Sequence, residues 1–155
     1  MQLPQHDYGA SDRHARRILE SYAALLGRPL LELNASKPLN EQLFGADTIV
    51  LSHGTEPDPV LNYGNLAALT LWEMDWATFT RTPSKYTAEA MERATRERFL
   101  RLVAGQGYVD DYTGIRIAAS GRRFRIIRAI VWNVSDERGE RIGQAAAFRE
   151  FEYCD

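Results

Sequence analysis

The chain has 155 residues, 45% of them hydrophobic and 26% charged, with a formal net charge of −2. That balance fits one globular domain and sets up no global field to draw in nucleic acid or an acidic membrane. The only cysteine, Cys154, excludes an intramolecular disulfide and a cysteine-based metal cage. The opening residues lack the apolar core of a signal peptide, and no apolar run approaches about 18 residues, so a cytoplasmic protein without a membrane span is expected.

Ser11 and Asp12 can cap a helix from Arg13 to Leu26, whose Ile18, Tyr22, Leu25 and Leu26 share one face. Gly27 and Pro29 then stop it, one by allowing a left-handed cap and the other by being unable to extend the helix. Lys37 to Asp47 predicts a short helix with Leu39, Leu43 and Phe44 inward. Thr48 to His53 is β-branched and aliphatic enough for a strand, Thr55 to Pro59 is rich in turn formers, and Val60 to Tyr63 reads as a return strand. Asn65 is the natural N-cap of the next helix, which carries Leu66, Leu69 and Met74, with Trp72 and Trp76 near its end. Thr87 predicts the cap of a long helix from Ala88 to about Ala104, with Met91, Thr95, Phe99, Leu102 and Val103 along one side, ended by Gly105 and Gly107.

From Tyr108 the apolar period changes to two. Ile115 and Ile117, then Phe124, Ile126, Ile130 and Trp132, then Ile142 to Phe151 predict a meander of three long strands, turning at Ser120-Gly121 and at Ser135 to Gly139. Two hairpin regions flanking a helical insert close most naturally as an α+β single sheet.

The runs HGTEPDPVLNYGN, LWEMDW, QGYVDDYTGIRI and GRRFRIIRAIVWN together resemble the bacterial stand-alone proteins of the MEKHLA family, over about Ala15 to Phe148. The name-giving hexapeptide is not present as such. That family, also found at the C-terminus of plant homeodomain–leucine zipper regulators, is considered PAS-like. The resemblance implies a five-stranded antiparallel sheet with helices on one face around a cavity of small-molecule size, here with an N-terminal helix covering the other face. It divides the chain into an N-terminal helical extension (1–36), a PAS-like domain (37–151) and a short tail (152–155).

A two-residue turn at Ser120-Gly121 would pair Ile117 with Phe124, Ile115 with Ile126 and Thr113 with Arg128. A four-residue loop over 136–139 would set Trp132 against Gly143, Ile130 against Ala145 and Arg128 against Ala147. One face then carries large residues opposite a strip of Gly and Ala, which either leaves room for a ligand or lets a helix pack close. The other face, with Ile127, Phe148, Val131 and Gln144, is too apolar to meet water, so the Arg13–Leu26 helix or a second copy of the chain should cover it. In that register Arg128 sits among apolar neighbours with Asp111 on the diagonal, either as an anion clamp or as half of a structural ion pair. The expected ligand-binding set is Arg128, Asp111, Trp132, Ile130, Ile115, Gln144, Trp72 and His53.

Other groupings favour plain roles. His53, Glu56 and Asp58 have spacing reminiscent of a metal site, but Pro57 and Pro59 stiffen the loop and a solvated turn accounts for it. Asp110 and Asp111 are adjacent on a strand and point to opposite faces, which defeats an acid–base pair. The stripe Arg116, Arg122, Arg123, Arg125 and Arg128 lacks interleaved aromatics, so direct nucleic-acid binding is not expected. A LOV-type flavin adduct needs a cysteine on the helix after the central stretch, and Pro83 to Met91 has none. Haem is unsupported, with Met91 the only axial candidate on the long helix, and a non-covalent small molecule is the remaining cofactor class. Three readings follow: a PAS-like sensory or interaction module that binds a small molecule or dimerises and signals to a partner; a small enzyme using His53, Asp111 or Arg128; and a structural interaction domain with a filled cavity. The absence of a nucleophile–base motif weighs against the enzyme.

Overall fold

A computed structural model describes residues 7–88 and 92–154. Helix α1 (Asp12–Leu26) starts where Ser11 Oγ accepts from the His14 N–H at 3.0 Å, and ends at Gly27, whose φ of 74° is the left-handed cap expected of it. The chain continues through α2 (Leu39–Phe44), β1 (Ile49–His53), β2 (Leu61–Gly64), α3 (Leu66–Trp72), α4 (Trp76–Phe79) and a 3-10 turn over Ser84–Thr87. Helix α5 (Arg93–Gln106) and strands β3 (Tyr108–Ile117), β4 (Arg123–Ser135), β5 (Arg141–Phe148) and β6 (Glu150–Tyr153) complete it. The expected start of α5 near Ala88 and the inward placement of Met91 fall partly outside the described residues. Among those residues no helix is long and apolar enough to cross a membrane.

Asn65 is fully buried and does more than cap α3. Its Oδ1 accepts from Ala68 N and from Val50 N, both at 3.1 Å, while its Nδ2 donates to Thr48 O at 2.7 Å and to Leu43 O at 3.2 Å. One amide thus ties the end of α2, the start of β1 and the first turn of α3, with every lone pair and proton used.

The strands form one antiparallel sheet in the order β2-β1-β5-β4-β3, the five-stranded arrangement expected, with helices on both faces. The last expected strand breaks at Arg149, and its end, β6, pairs with Phe124–Ile127 of β4. Both hairpin registers differ from the expected ones for the same reason. Ala118 N bonds Arg122 O and Gly121 N bonds Ala118 O, both at 2.9 Å, closing a three-residue loop with Gly121 at φ 90°. Asp136 and Glu140 close a matching loop with Gly139 at φ 83°. Such loops end in a left-handed residue that adds a bulge, which the two- and four-residue readings omit. Ile117 therefore faces Arg123 and Ile115 faces Arg125, a one-residue slip that turns over every side chain of this part of β3 relative to expectation. In the second hairpin a further irregularity at Val134/Ser135 makes the slip two residues: Trp132 faces Ala145, Ile130 faces Ala147, and the face is kept.

The two faces are covered in the opposite sense to that expected. Helix α1 lies on the face with Trp132 and the Ala145/Ala147 strip, where Trp132 Nε1 donates to Ile18 O at 3.2 Å and Tyr22 meets the indole edge-on at 4.9 Å. The strip of small residues admits a helix there. Phe148, expected beneath α1, points to the other side, 6.2 Å from the Trp72 ring. Nearby, His14 of α1 is buried with its Nε2 3.1 Å from Ser52 Oγ on β1, and Ser52 Oγ in turn donates to Asn62 Oδ1 at 2.5 Å.

Two outcomes follow from this docking. Ile18 is 0% exposed, so Ile18→Ala should cost about 2–5 kcal/mol in urea unfolding, whereas Leu25→Ala, at a position 36% exposed, should cost about 0.5 kcal/mol or less. Burial lowers the His14 pKa to about 4. The unfolded chain binds that proton near pH 6.5 and the folded chain does not, so its contribution is complete above pH 6.5 and is lost as pH falls from there toward 4. The loss should be about 3 kcal/mol on an order-of-magnitude scale, and His14→Gln should remove that share of the fall in the urea midpoint across the window, leaving the share of His53, which burial lowers to the same value.

Candidate functional site

The face of the sheet opposite α1 is covered by α3, the 3-10 turn and α5, and these enclose a cavity of about 60 Å³. Its apolar wall includes Leu51, Leu61, Trp72, Ile126, Val131 and Phe148. Trp72 sits at the centre, with Phe124 at 5.1 Å and Phe79 and Phe148 at 6.2 Å between ring centres. The polar wall is formed by His53, Ser84, Thr87, Arg96, Arg116 and Gln144.

Two arginines in this wall are nearly inaccessible: Arg96 is 7% exposed and Arg116 is 9% exposed. Arg96 enters from α5, where it shares the inward stripe with Phe99, Leu100 and Val103 at spacings of three, four and seven. Its guanidinium donates to Ser84 Oγ. Arg116 enters from β3, donating to Ile115 O at 2.9 Å and to Tyr112 Oη at 3.1 Å, with its guanidinium carbon 5.5 Å from the Tyr112 ring centre. Among the described residues neither arginine is in a salt bridge. Desolvation, reinforced by the charge of Arg116, lowers the Arg96 pKa to about 10, which still leaves it a cation at neutral pH.

His53 closes the same wall. Its Nδ1 donates to Gly54 O at 2.8 Å, which leaves Nε2 as a bare acceptor, buried and without a partner. Burial lowers its pKa to about 4, so the ring is neutral at pH 7. Trp72 Nε1 is a second buried group without a partner in the cavity lining. Gln144 donates from Nε2 to Leu100 O at 2.9 Å and to Asn133 Oδ1 at 3.2 Å, tying α5 to β5 and β4.

Of the residues expected to bind a ligand, His53, Trp72 and Gln144 meet at this cavity. Ile130 and Trp132 lie on the α1 side, and Ile115 lies opposite Arg125 on the outer side of β3. Asp111 and Arg128 are both exposed, and Arg128 pairs with Glu150 at 3.3 Å instead of with Asp111. The reason is backbone: Asp111 and Arg128 have φ of 64° and 54°, so the ladder bulges there and the side-chain alternation of β4 inverts. Ile126 and Val131 consequently share the cavity side although five positions apart.

Arg96 and Arg116 are the site residues that the sequence reading misses. The signal for Arg96 was its helical spacing from Phe99, Leu100 and Val103; the signal for Arg116 was the three-residue glycine loop that turns β3 over. The remaining arginines of the expected stripe do form an outer surface: Arg122 stacks 3.3 Å from the Tyr153 ring centre and Arg125 meets Glu152 at 3.4 Å. In the 53–59 loop, Glu56 Oε1 accepts from Val60 N at 2.8 Å and Asp58 pairs with Lys85 at 3.3 Å, while His53 turns into the cavity.

The sequence matches the MEKHLA domain over residues 12–153. No curated protein matches it. Among solved structures, the fold is similar to the PAS domain of a Colwellia psychrerythraea protein, with TM-score 0.60, 11% identity, and 71% of this chain and 91% of that one covered. It is similar to an RNA-binding light-oxygen-voltage receptor at TM-score 0.62 and 15% identity, covering 76% of this chain and 35% of that one. A light-oxygen-voltage domain studied with a flavin analogue gives TM-score 0.59 and 12% identity, over 77% of this chain and 86% of that one. The light-oxygen-voltage likeness raises flavin as a cofactor, and the residues here do not fit it. The cavity holds about 60 Å³, whereas pockets for ligands of that size run to roughly 300–1,000 Å³. The only thiol, on Cys154, follows β6 and is not part of the cavity lining. With a matching region that takes in nearly all of its secondary structure, and with a PAS-like sheet beneath it, this chain belongs to the MEKHLA domain family.

Proposed function

We propose that this protein is a PAS-like sensory module in which a very small molecule enters the cavity beneath α5 and alters what the domain presents to a partner, either a second copy or a separate signalling protein. The observation that carries this reading is the composition of the cavity wall. Buried side chains normally find partners for their polar atoms, yet His53 Nε2 and Trp72 Nε1 have none and both residues line the same space. A site held open in an apolar core with unsatisfied groups on its wall is costly unless something occupies it.

A second reading, an interaction domain whose cavity is simply filled, draws support from the small free volume and from the aromatic cluster around Trp72. The acid–base reading lacks comparable support, because Asp111 and Arg128 lie on the outer surface away from His53. Direct nucleic-acid binding is likewise unsupported, since Arg125 and Arg128 are matched by Glu152 and Glu150.

Volume separates the first two readings. Ala146 contributes to the cavity lining, and Ala146→Leu would occupy it. Thermal melting should be followed for both proteins against a panel of neutral and charged molecules of up to six non-hydrogen atoms. The sensory reading expects at least one to raise the melting temperature of the natural protein and none to affect Ala146→Leu. A filled core expects no response from either, with Ala146→Leu destabilised by about 1–3 kcal/mol through overpacking.

A further inference from the structure

Resting on the reading of the cavity as a ligand site, we propose that its ligand is a short-chain monocarboxylate, held with its carboxylate toward Arg96 and Arg116 and its tail against Trp72 and the aliphatic wall. Two guanidinium groups, each about nine-tenths or more buried, line one small space, and among the described residues no acidic side chain pairs with either. A buried cation needs an opposite charge more than a neutral partner, and two of them near one another need it more still.

Donor counting points the same way. Each guanidinium carries five N–H donors. Among the described residues Arg96 bonds Ser84 Oγ within the core, and Arg116 bonds Ile115 O and Tyr112 Oη. Most of the donors are therefore left for a group with several acceptor lone pairs, and a carboxylate offers about four such sites in the planar fork geometry that arginine matches. Trp72 Nε1 adds one more unpartnered donor to the lining. His53, neutral at pH 7, adds no charge that competes with the two arginines.

Size and polarity select within the anions. A space of about 60 Å³ is roughly four times the minimum for one water-sized group, which suits acetate or propionate. Of the other polar groups in the lining, Ser84 Oγ accepts from Arg96, the Thr87 hydroxyl donates to Ser84 O, and Gln144 Nε2 donates to Leu100 O and Asn133 Oδ1, while Leu51, Leu61, Ile126 and Val131 make an apolar remainder that suits a tail better than the further oxygens of phosphate or of a dicarboxylate. An apolar tail of one to three carbons uses that wall.

The test is thermal melting of the full chain at constant ionic strength, with chloride as the reference anion, using acetate, propionate, succinate, phosphate and the neutral propionamide. Propionate should raise the melting temperature of the natural protein by about 3–5 °C at saturation, and propionamide by less than about 1 °C. Arg96→Met keeps volume, removes one charge and should abolish the propionate shift; without ligand it should melt no lower than the natural protein, because the repulsion with Arg116 is gone. Should Arg96→Met fail to fold, Arg116→Gln gives the same reading through loss of the shift. An equal response to propionamide, a larger response to phosphate or succinate, or a propionate shift that survives Arg96→Met would overturn the carboxylate assignment while leaving a cavity ligand standing. No response to any compound, together with the destabilised Ala146→Leu that a filled core expects, would overturn both.

Discussion

Left-handed backbone at Asp111 on β3 and at Arg128 on β4, where the ladder between the two strands slips, controls what each side of the sheet can become. Both residues have left-handed backbone, a conformation that a side chain with a Cβ adopts at a cost of about 1–2 kcal/mol. In an unbroken β4, Ile126 would share a side with Ile130 and Trp132. With the bulge, Ile126 instead joins Val131 on the cavity side, and Trp132 is released to lie under α1. Two differently shaped surfaces result from one strand. One is flattened by Ala145 and Ala147 and takes a helix; the other is concave and walled by Trp72, Phe124 and Phe148. Exposure of the Arg128 side chain, paired with Glu150 on β6, is a by-product of the same bulge.

Features fixed by local chemistry were legible in the sequence. Ser11 and Gly27 bracket α1, and Asn65 caps α3, because each satisfies backbone groups within three or four residues of itself. The PAS-like sheet and its strand count followed from apolar periodicity joined to the family resemblance. Face assignment failed because it depends on parity, and parity accumulates errors. A three-residue loop in place of two turned β3 over and hid Arg116; a bulge at Arg128 inverted β4; two compensating shifts left β5 on its expected face. A periodic pattern carries no mark of where one residue is skipped unless the skipped residue is glycine, and here Gly121 and Gly139 were such marks while Arg128 was not.

Arg96 illustrates a different limit. Its position on the inward stripe of α5 was readable from spacing, but a charged residue among Phe99, Leu100 and Val103 is normally assigned to solvent. Only the assembled structure shows that Ser84 Oγ, from a turn twelve residues earlier, meets it inside the core. Long-range polar contacts of this kind leave no local pattern. The same holds for His14, whose partner Ser52 stands thirty-eight residues away on β1.

The weak attachment of α5 gives the two arginines their physical interest. Of its residues only Arg96 and Val103 are buried, and the helix is fastened to the sheet by the Phe99 ring stacked 4.0 Å from that of Tyr112 and by side chains that reach its carbonyls: Gln144 to Leu100 O, and Asn133 to Ala104 O at 3.1 Å. Asn133 N also bonds Gly107 O at 2.8 Å, beside the first residues of β3. An element held by few apolar contacts is the part of a domain that moves at least cost. Neutralising a buried repulsion between Arg96 on that helix and Arg116 on the sheet acts directly on the distance between the two, because the force lies across the gap that α5 spans. A charge entering the cavity therefore has a mechanical lever that a neutral molecule of equal size lacks, and the lever ends where α5 passes through Gly107 into the edge strand of the sheet.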